Sequence, residues 1–235
     1  MTIGLGLLII GGTLAVAIGW LINRRVTHES FLWIGLVVGG VAFLLAGILQ
    51  NLMVVPMAIT IHGREGLQSL VPASPLEAIY YGLAAGIAQE LAKLAGIRVY
   101  GRNREIFPTA IAIGAGFALT EIILISLPAM QAGVTSVSAL AIPIWERFSA
   151  ILFHIGAAII IGYGLARGKM WLYLLIAILL HGILDGAVAL RAYYKIDQIV
   201  AFETVILIFS AAVLALAIRW MQSAVRDHEL VSTTR

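Results

Sequence analysis

The stretch GLAAGIAQELAKLAG, residues 82–96, decides the fold, because it is apolar enough to cross a membrane yet carries three polar side chains. Gln89, Glu90 and Lys93 all lie in its inner half. An ionised side chain at the centre of a membrane helix costs roughly 2.5–3.5 kcal/mol, and such groups almost always face a polar interior. The stretch therefore predicts a membrane helix that forms one wall of a polar site.

Composition supports a membrane protein. The chain has 235 residues, of which 61% are hydrophobic and 11% charged, and its mean hydropathy is +1.03. A soluble domain cannot bury that much apolar surface, so we expect one transmembrane domain spanning residues 1–235. The absence of cysteine excludes disulfides, thiolate ligands and cysteine nucleophiles. The net charge of +3 comes from loops between spans and does not indicate binding to nucleic acid.

Apolar runs of about 20 residues predict seven transmembrane helices. They cover about 3–22, 30–58, 76–97, 107–127, 143–166, 170–191 and 199–221, and each proline falls near a predicted end. An outside N-terminus and an inside C-terminus place eleven of the 15 basic residues, Lys93 among them, in inner loops and the tail. This asymmetry predicts an N-out, C-in topology in a membrane that we expect to be the prokaryotic cytoplasmic membrane.

Helices 3 to 6 each bring ionisable groups to the membrane interior. Helix 3 carries Glu90, helix 4 carries Glu121, helix 5 carries His154, and helix 6 carries His181 with Asp185 one turn later. Residues four apart share a helix face, so His181 and Asp185 point the same way. If the four helices pack together, these groups meet in one polar cavity, where burial costs far less than exposure to lipid.

Several chemistries suit two histidines and several carboxylates in a half-dry cavity. One is hydrolysis, in which a carboxylate or a metal activates water. Zinc would be satisfied by His154, His181 and Glu121, which leave a fourth position for water. A second is a b-type haem with His154 and His181 as axial ligands, and a third is proton or ion translocation. The structural alternatives are a Glu90–Lys93 ion pair and a Glu146–Arg147 anchor at the headgroups.

Four short motifs occur in order over residues 76–190, on one helix after another. They are Gln89-Glu90-x-x-Lys93, Phe117-x-x-x-Glu121, Arg147 with His154, and His181-x-x-x-Asp185. In this the chain resembles the YhfC family of intramembrane proteases, within a wider group of PrsW-like and CPBP-type proteins. The likeness is closest in ERFSAILFHIG, residues 146–156, and in LLIAILLHGILDGA, residues 174–187.

The resemblance implies hydrolysis of peptide bonds in a membrane protein or peptide, in or near the bilayer. It implies that an acidic residue of the first motif activates water, and that later histidines and Asp185 orient that water or stabilise the oxyanion. The implied catalytic set is Gln89, Glu90, Glu121, His154, His181 and Asp185, with Lys93, Phe117, Glu146 and Arg147 in support.

Gln89 departs from that pattern, because an amide cannot accept a proton from water and so cannot be a general base. Three interpretations stay open: a natural pseudoprotease, an engineered Glu-to-Gln variant, or a mechanism that uses Glu90. The rival functions are a non-catalytic scaffold that binds a membrane partner in the cavity, and a haem-binding electron carrier.

Overall fold

A computed structural model describes residues 2–27, 29–63, 71–101, 105–131 and 140–233, with side chains described as far as Asp227. All seven predicted helices are present, and the described residues contain no strand. Their bounds are α1 Ile3–Val26, α2 Trp33–His62, α3 Pro75–Tyr100, α4 Ile106–Gln131, α5 Ala141–Ala166, α6 Met170–Tyr194 and α7 Ile199–Thr233. Most helices run a few residues past their predicted ends, and Pro56 and Pro128 lie inside α2 and α4 rather than at helix ends.

Six of the helices are long and apolar enough to cross a membrane; the seventh, α3, carries Gln89, Glu90 and Lys93 at its centre. Large apolar side chains are exposed along the outward faces of the bundle, among them Val37, Leu52 and Val205. Apolar faces of this extent fit a lipid environment and not water. The chain is therefore a polytopic integral membrane protein.

The bundle is organised around α4 and α5, the two most buried helices. α1 and α2 pack on α4, α7 packs on α5, and α3 packs along α6. The large buried side chains of the core include Phe153, Ile113 and Ile159. The arrangement leaves α3, α4, α5 and α6 facing one another, as the polar residues of these helices predicted.

Glycines bring α3 and α6 into backbone contact. A Cβ atom added at Gly82 would lie 2.4 Å from the backbone nitrogen of Gly186, and one at Gly86 would lie 2.6 Å from the carbonyl oxygen of Ile178. Only glycine permits such a close approach of two helices, as in other small-residue packing motifs of membrane proteins. This contact brings Glu90 of α3 within reach of His181 of α6.

Candidate active site

The polar residues meet in a cavity of about 450 Å³. Its lining includes five of the six predicted catalytic residues: Gln89, Glu121, His154, His181 and Asp185. The sequence predicted walls from α3 to α6, and the structure adds Gln50 of α2 and Ile199, Glu203 and Ile206 of α7. Glu90 is not part of the lining; it lies behind the wall with its side chain fully buried.

Glu90 and Lys93 form a buried ion pair in which Lys93 Nζ donates to Glu90 Oε1 at 2.6 Å. Both side chains are 0% exposed. Lys93 Nζ also lies 4.6 Å from the centre of the Phe117 ring, a distance that suits a cation–π contact. The Glu90–Lys93 ion pair that the sequence offered as an alternative is therefore present, and Lys93 lies inside the bundle and not among the loop residues that set the orientation.

Lys93 also fixes the tautomer of His154. Lys93 Nζ lies 3.1 Å from His154 Nδ1, and an ammonium group can only donate, so Nδ1 accepts. The ring proton is then on Nε2, which donates to Glu121 Oε2 at 3.0 Å. His154 is thus held between a cation and a carboxylate, with both ring nitrogens engaged.

Arg147 completes this side of the cavity. Its guanidinium lies 3.0 Å from Glu121 Oε1 and donates to Glu146 Oε1 at 2.5 Å. The sequence offered a Glu146–Arg147 pair at the headgroups as an alternative. Arg147 does pair with Glu146, but it also pairs with Glu121, the carboxylate that accepts the hydrogen bond from His154. Arg147 and Glu121 place a cationic donor next to a hydrogen-bonded imidazole in the cavity wall.

His181 lies between two carboxylates. Its Nδ1 contacts Glu90 Oε1, and its Nε2 lies 3.5 Å from Asp185 Oδ2. A carboxylate accepts, so Nδ1 carries the ring proton and Nε2 has a free lone pair. Asp185 is 31% exposed and lines the cavity with His181. Nε2 and Asp185 are two neighbouring acceptors, and a water molecule can donate to both.

Gln89 and Glu90 thus face different surroundings. Gln89 lines the cavity, where its Nε2 lies 3.4 Å from Gln50 Oε1 of α2. Glu90, on the adjacent face of α3, contacts His181 and Lys93. The amide is therefore at the position open to a substrate, and the carboxylate is at the position that orients a histidine.

The donor set does not fit the predicted zinc ion. Glu121, His154 and His181 do come together, but both nitrogens of His154 and the Nδ1 of His181 are directed at protein partners. Lys93 Nζ supplies the positive charge between Glu90 and His154. Within the described ranges, no three His, Cys, Asp or Glu side chains converge on a point that could hold a metal.

Haem binding is also unsupported by these contacts. The His154 and His181 rings lie 5.5 Å apart, centre to centre, in an edge-to-face contact. A haem with two histidine axial ligands needs a free nitrogen on each ring, whereas both ring nitrogens of His154 are engaged by Lys93 and Glu121.

Three polar residues of the cavity wall were not predicted from the sequence. Gln50 Oε1 of α2 accepts a hydrogen bond from Gln89 Nε2 at the cavity wall. Arg191 and Glu203 line the cavity near the facing ends of α6 and α7. Glu203 is an ionisable residue inside a predicted span, and that signal alone could have marked it.

Comparison with known proteins supports the likeness found in the motifs. A family model described as YhfC intramembrane metalloprotease matches residues 126–210. The matched region contains the third and fourth motifs, with His154, His181 and Asp185, and leaves Glu90 and Glu121 outside. No curated protein and no solved structure gave a match.

Proposed function

We propose that the cavity hydrolyses peptide bonds of membrane-embedded polypeptides, with His181 as the general base. The observation that carries the proposal is the position of His181 between Glu90, which holds Nδ1, and Asp185, which lies beside Nε2 in the cavity. A buried carboxylate that fixes the tautomer and stabilises the imidazolium is the partner that a histidine base requires. The family match to an intramembrane metalloprotease supports the reaction class.

In this mechanism, water held by His181 Nε2 and Asp185 attacks the carbonyl carbon of the scissile bond. The water proton moves to Nε2 as the C–O bond forms, and it is then given to the leaving amine nitrogen as the C–N bond breaks. Glu90 accepts from Nδ1 throughout and is a positioning residue. Arg147, a cationic donor in the cavity wall, suits the oxyanion that develops on the carbonyl oxygen.

No step in this mechanism passes through a metal ion, since the donors are arranged around the ammonium of Lys93. Gln89 requires no proton-transfer role: an amide in the cavity wall can donate to or accept from the substrate backbone. The proposal includes membership of the wider PrsW-like and CPBP-type group, which the order of the four motifs supports, and a location in the prokaryotic cytoplasmic membrane.

The experiment is cleavage of a membrane-tethered reporter by the wild type, Glu90→Gln, His181→Ala and Gln89→Glu, with Glu105→Gln as the matched control. Glu105 is exposed and lies outside the cavity. We expect the wild type and Glu105→Gln to cleave, and Glu90→Gln and His181→Ala to lose about 10²–10⁴-fold in rate. If Gln89→Glu cleaves the reporter and no other form does, residue 89 is the missing acid of the first motif, and the His181 mechanism is refuted.

If no form cleaves, and histidine loss leaves binding of a membrane partner intact, the scaffold function is favoured instead. Co-purification of a partner with both the wild type and His181→Ala is the measurement that identifies this outcome.

A further inference from the structure

The cavity contains more acid than base. Among the residues that the structure describes, four carboxylates and two guanidiniums line it: Glu121, Glu146, Asp185, Glu203, Arg147 and Arg191. Arg147 lies 3.0 Å from Glu121 and 2.5 Å from Glu146, so its charge is shared between these two acids. In the described lining, Arg191 is then the one cation left for Asp185 and Glu203 together. The cavity as a whole therefore favours a positively charged ligand.

Glu203 is the carboxylate in this set without a partner. Glu203 is 5% exposed, yet it makes no hydrogen bond and no ion pair with the described residues. Arg191 is the nearest cation of the lining, but its guanidinium carbon lies over the Phe202 ring, 5.4 Å from the ring centre, and the described residues show no ion pair between Arg191 and Glu203. A buried carboxylate without a directly bound counter-charge is costly, so such a group favours a ligand of opposite charge.

The wall around Glu203 is apolar and suits a peptide segment. Ile199 and Ile206 of α7 share the Glu203 face, and Leu184 and Val188 of α6 lie across the cavity. α7 packs on α5 and α6 packs on α3 and α5, whereas α6 and α7 hardly touch in the described residues. The space between these two helices can therefore receive apolar side chains next to one buried acid.

We infer that Glu203 is a specificity-determining residue that receives a cationic group of a membrane-embedded peptide. The group is an ammonium or guanidinium, carried by a Lys or Arg side chain or by a free N-terminal amine. This inference takes its substrate class from the proposed function and adds the chemistry that the cavity selects. Apolar side chains of the peptide occupy the space between α6 and α7, and its charge pairs with Glu203.

The test is a binding measurement in nanodiscs, which does not depend on cleavage. Fluorescent apolar peptides with blocked ends carry Lys, Gln or Glu at one position near the end of the span. The wild type should bind the Lys peptide about tenfold more tightly than the Gln peptide, a difference of about 1.4 kcal/mol. Glu203→Gln should abolish this preference, and Glu203→Lys should favour the Glu peptide. Glu29→Gln, at an exposed acid outside the cavity, should retain the wild-type preference.

Unchanged affinity of Glu203→Gln for the Gln peptide checks that this variant is folded, so the result does not depend on the charge reversal. A parallel set of peptides with a free N-terminus distinguishes binding of a terminal amine from binding of a side chain. A preference for the cationic peptide in either set supports the inference. Equal binding of the Lys and Gln peptides in both sets, or a preference that survives Glu203→Gln, overturns it.

The failure of this inference can be told from that of the proposed function. Selective binding without cleavage of any reporter would retain the cation site and reject the hydrolase. Cleavage that depends on His181 without any preference for a cationic peptide would retain the hydrolase and reject the role of Glu203.

Discussion

Removal of the Lys93 ammonium should destabilise the protein more than any surface substitution. In Lys93→Met, the Glu90 carboxylate stays fully buried with His181 as its only described partner, and its Oε2 has none. Breaking a buried ion pair by removing one partner costs about 3–5 kcal/mol. The lost hydrogen bond to His154 adds about 1 kcal/mol. We therefore expect the free energy of unfolding to fall by about 4–6 kcal/mol.

The second half of the experiment separates the charge effect from lost packing. Glu90→Gln leaves the Lys93 ammonium unpaired and should also destabilise the protein. The double variant Glu90→Gln/Lys93→Met buries no charge at either of these two positions. The double variant should therefore be closer to the wild type than Lys93→Met, with a coupling of about 3 kcal/mol. Unfolding by dodecyl sulfate in mixed micelles, followed by circular dichroism, measures these values.

Lys169→Met, at an exposed lysine between α5 and α6, is the matched control and should change stability by less than about 0.5 kcal/mol. Two results would refute the reasoning. One is a Lys93→Met variant within about 1 kcal/mol of the wild type. The other is additivity of the two single substitutions, which would mean that the charges do not interact.

Three further predictions follow from the packing and the site. Gly82→Val should push α3 away from α6 and destabilise the protein, because a Cβ there would lie 2.4 Å from the backbone nitrogen of Gly186. Gly47→Ala, with open space around it, should be neutral or stabilising. Thermal unfolding in detergent compares the two variants, and equal melting temperatures would contradict the packing. Peptide hydrolysis should survive metal chelators, since the donors do not fit a metal; loss of activity that added zinc restores would reverse this conclusion. Glu121→Gln should lower kcat by about 10²-fold with little change in KM, because it removes the charge that holds Arg147 and His154; reporter kinetics with unchanged kcat would rule out that role.

Hydropathy was sufficient to predict the seven helices, because a 20-residue apolar run has few alternatives to a membrane helix. The helix ends were less accurate. α2 was predicted to end at about residue 58, but it runs six residues beyond Pro56 to His62, and Ile59 and Ile61 in this extension are exposed. Packing partners were harder still, because sequence order does not encode that α3 lies on α6 and α7 on α5.

The sequence predicted which residues belong to the site, and the structure showed which of them contact one another and which face the cavity. Ionisable residues in membrane spans are functional candidates by default, and this rule selected Glu121, His154 and His181. The count of basic residues that predicted the topology also included Lys93, because a lysine four residues from the predicted helix end at residue 97 can reach the headgroups. Which of two adjacent side chains faces a cavity depends on the rotation of the helix, and hydropathy does not fix that rotation.

Gln89 illustrates the last point and changes how the first motif is interpreted. On an α-helix, residues 89 and 90 point about 100° apart, so only one of them can face a given neighbour squarely. The close contact of Gly82 and Gly86 with α6 directs Glu90 to His181 and leaves Gln89 on the cavity wall beside Gln50. A carboxylate at position 89 would add a fifth acid to a cavity that already holds four against two arginines. An amide at that position is therefore compatible with a working site, since the acid that the proposed base needs is the one behind it.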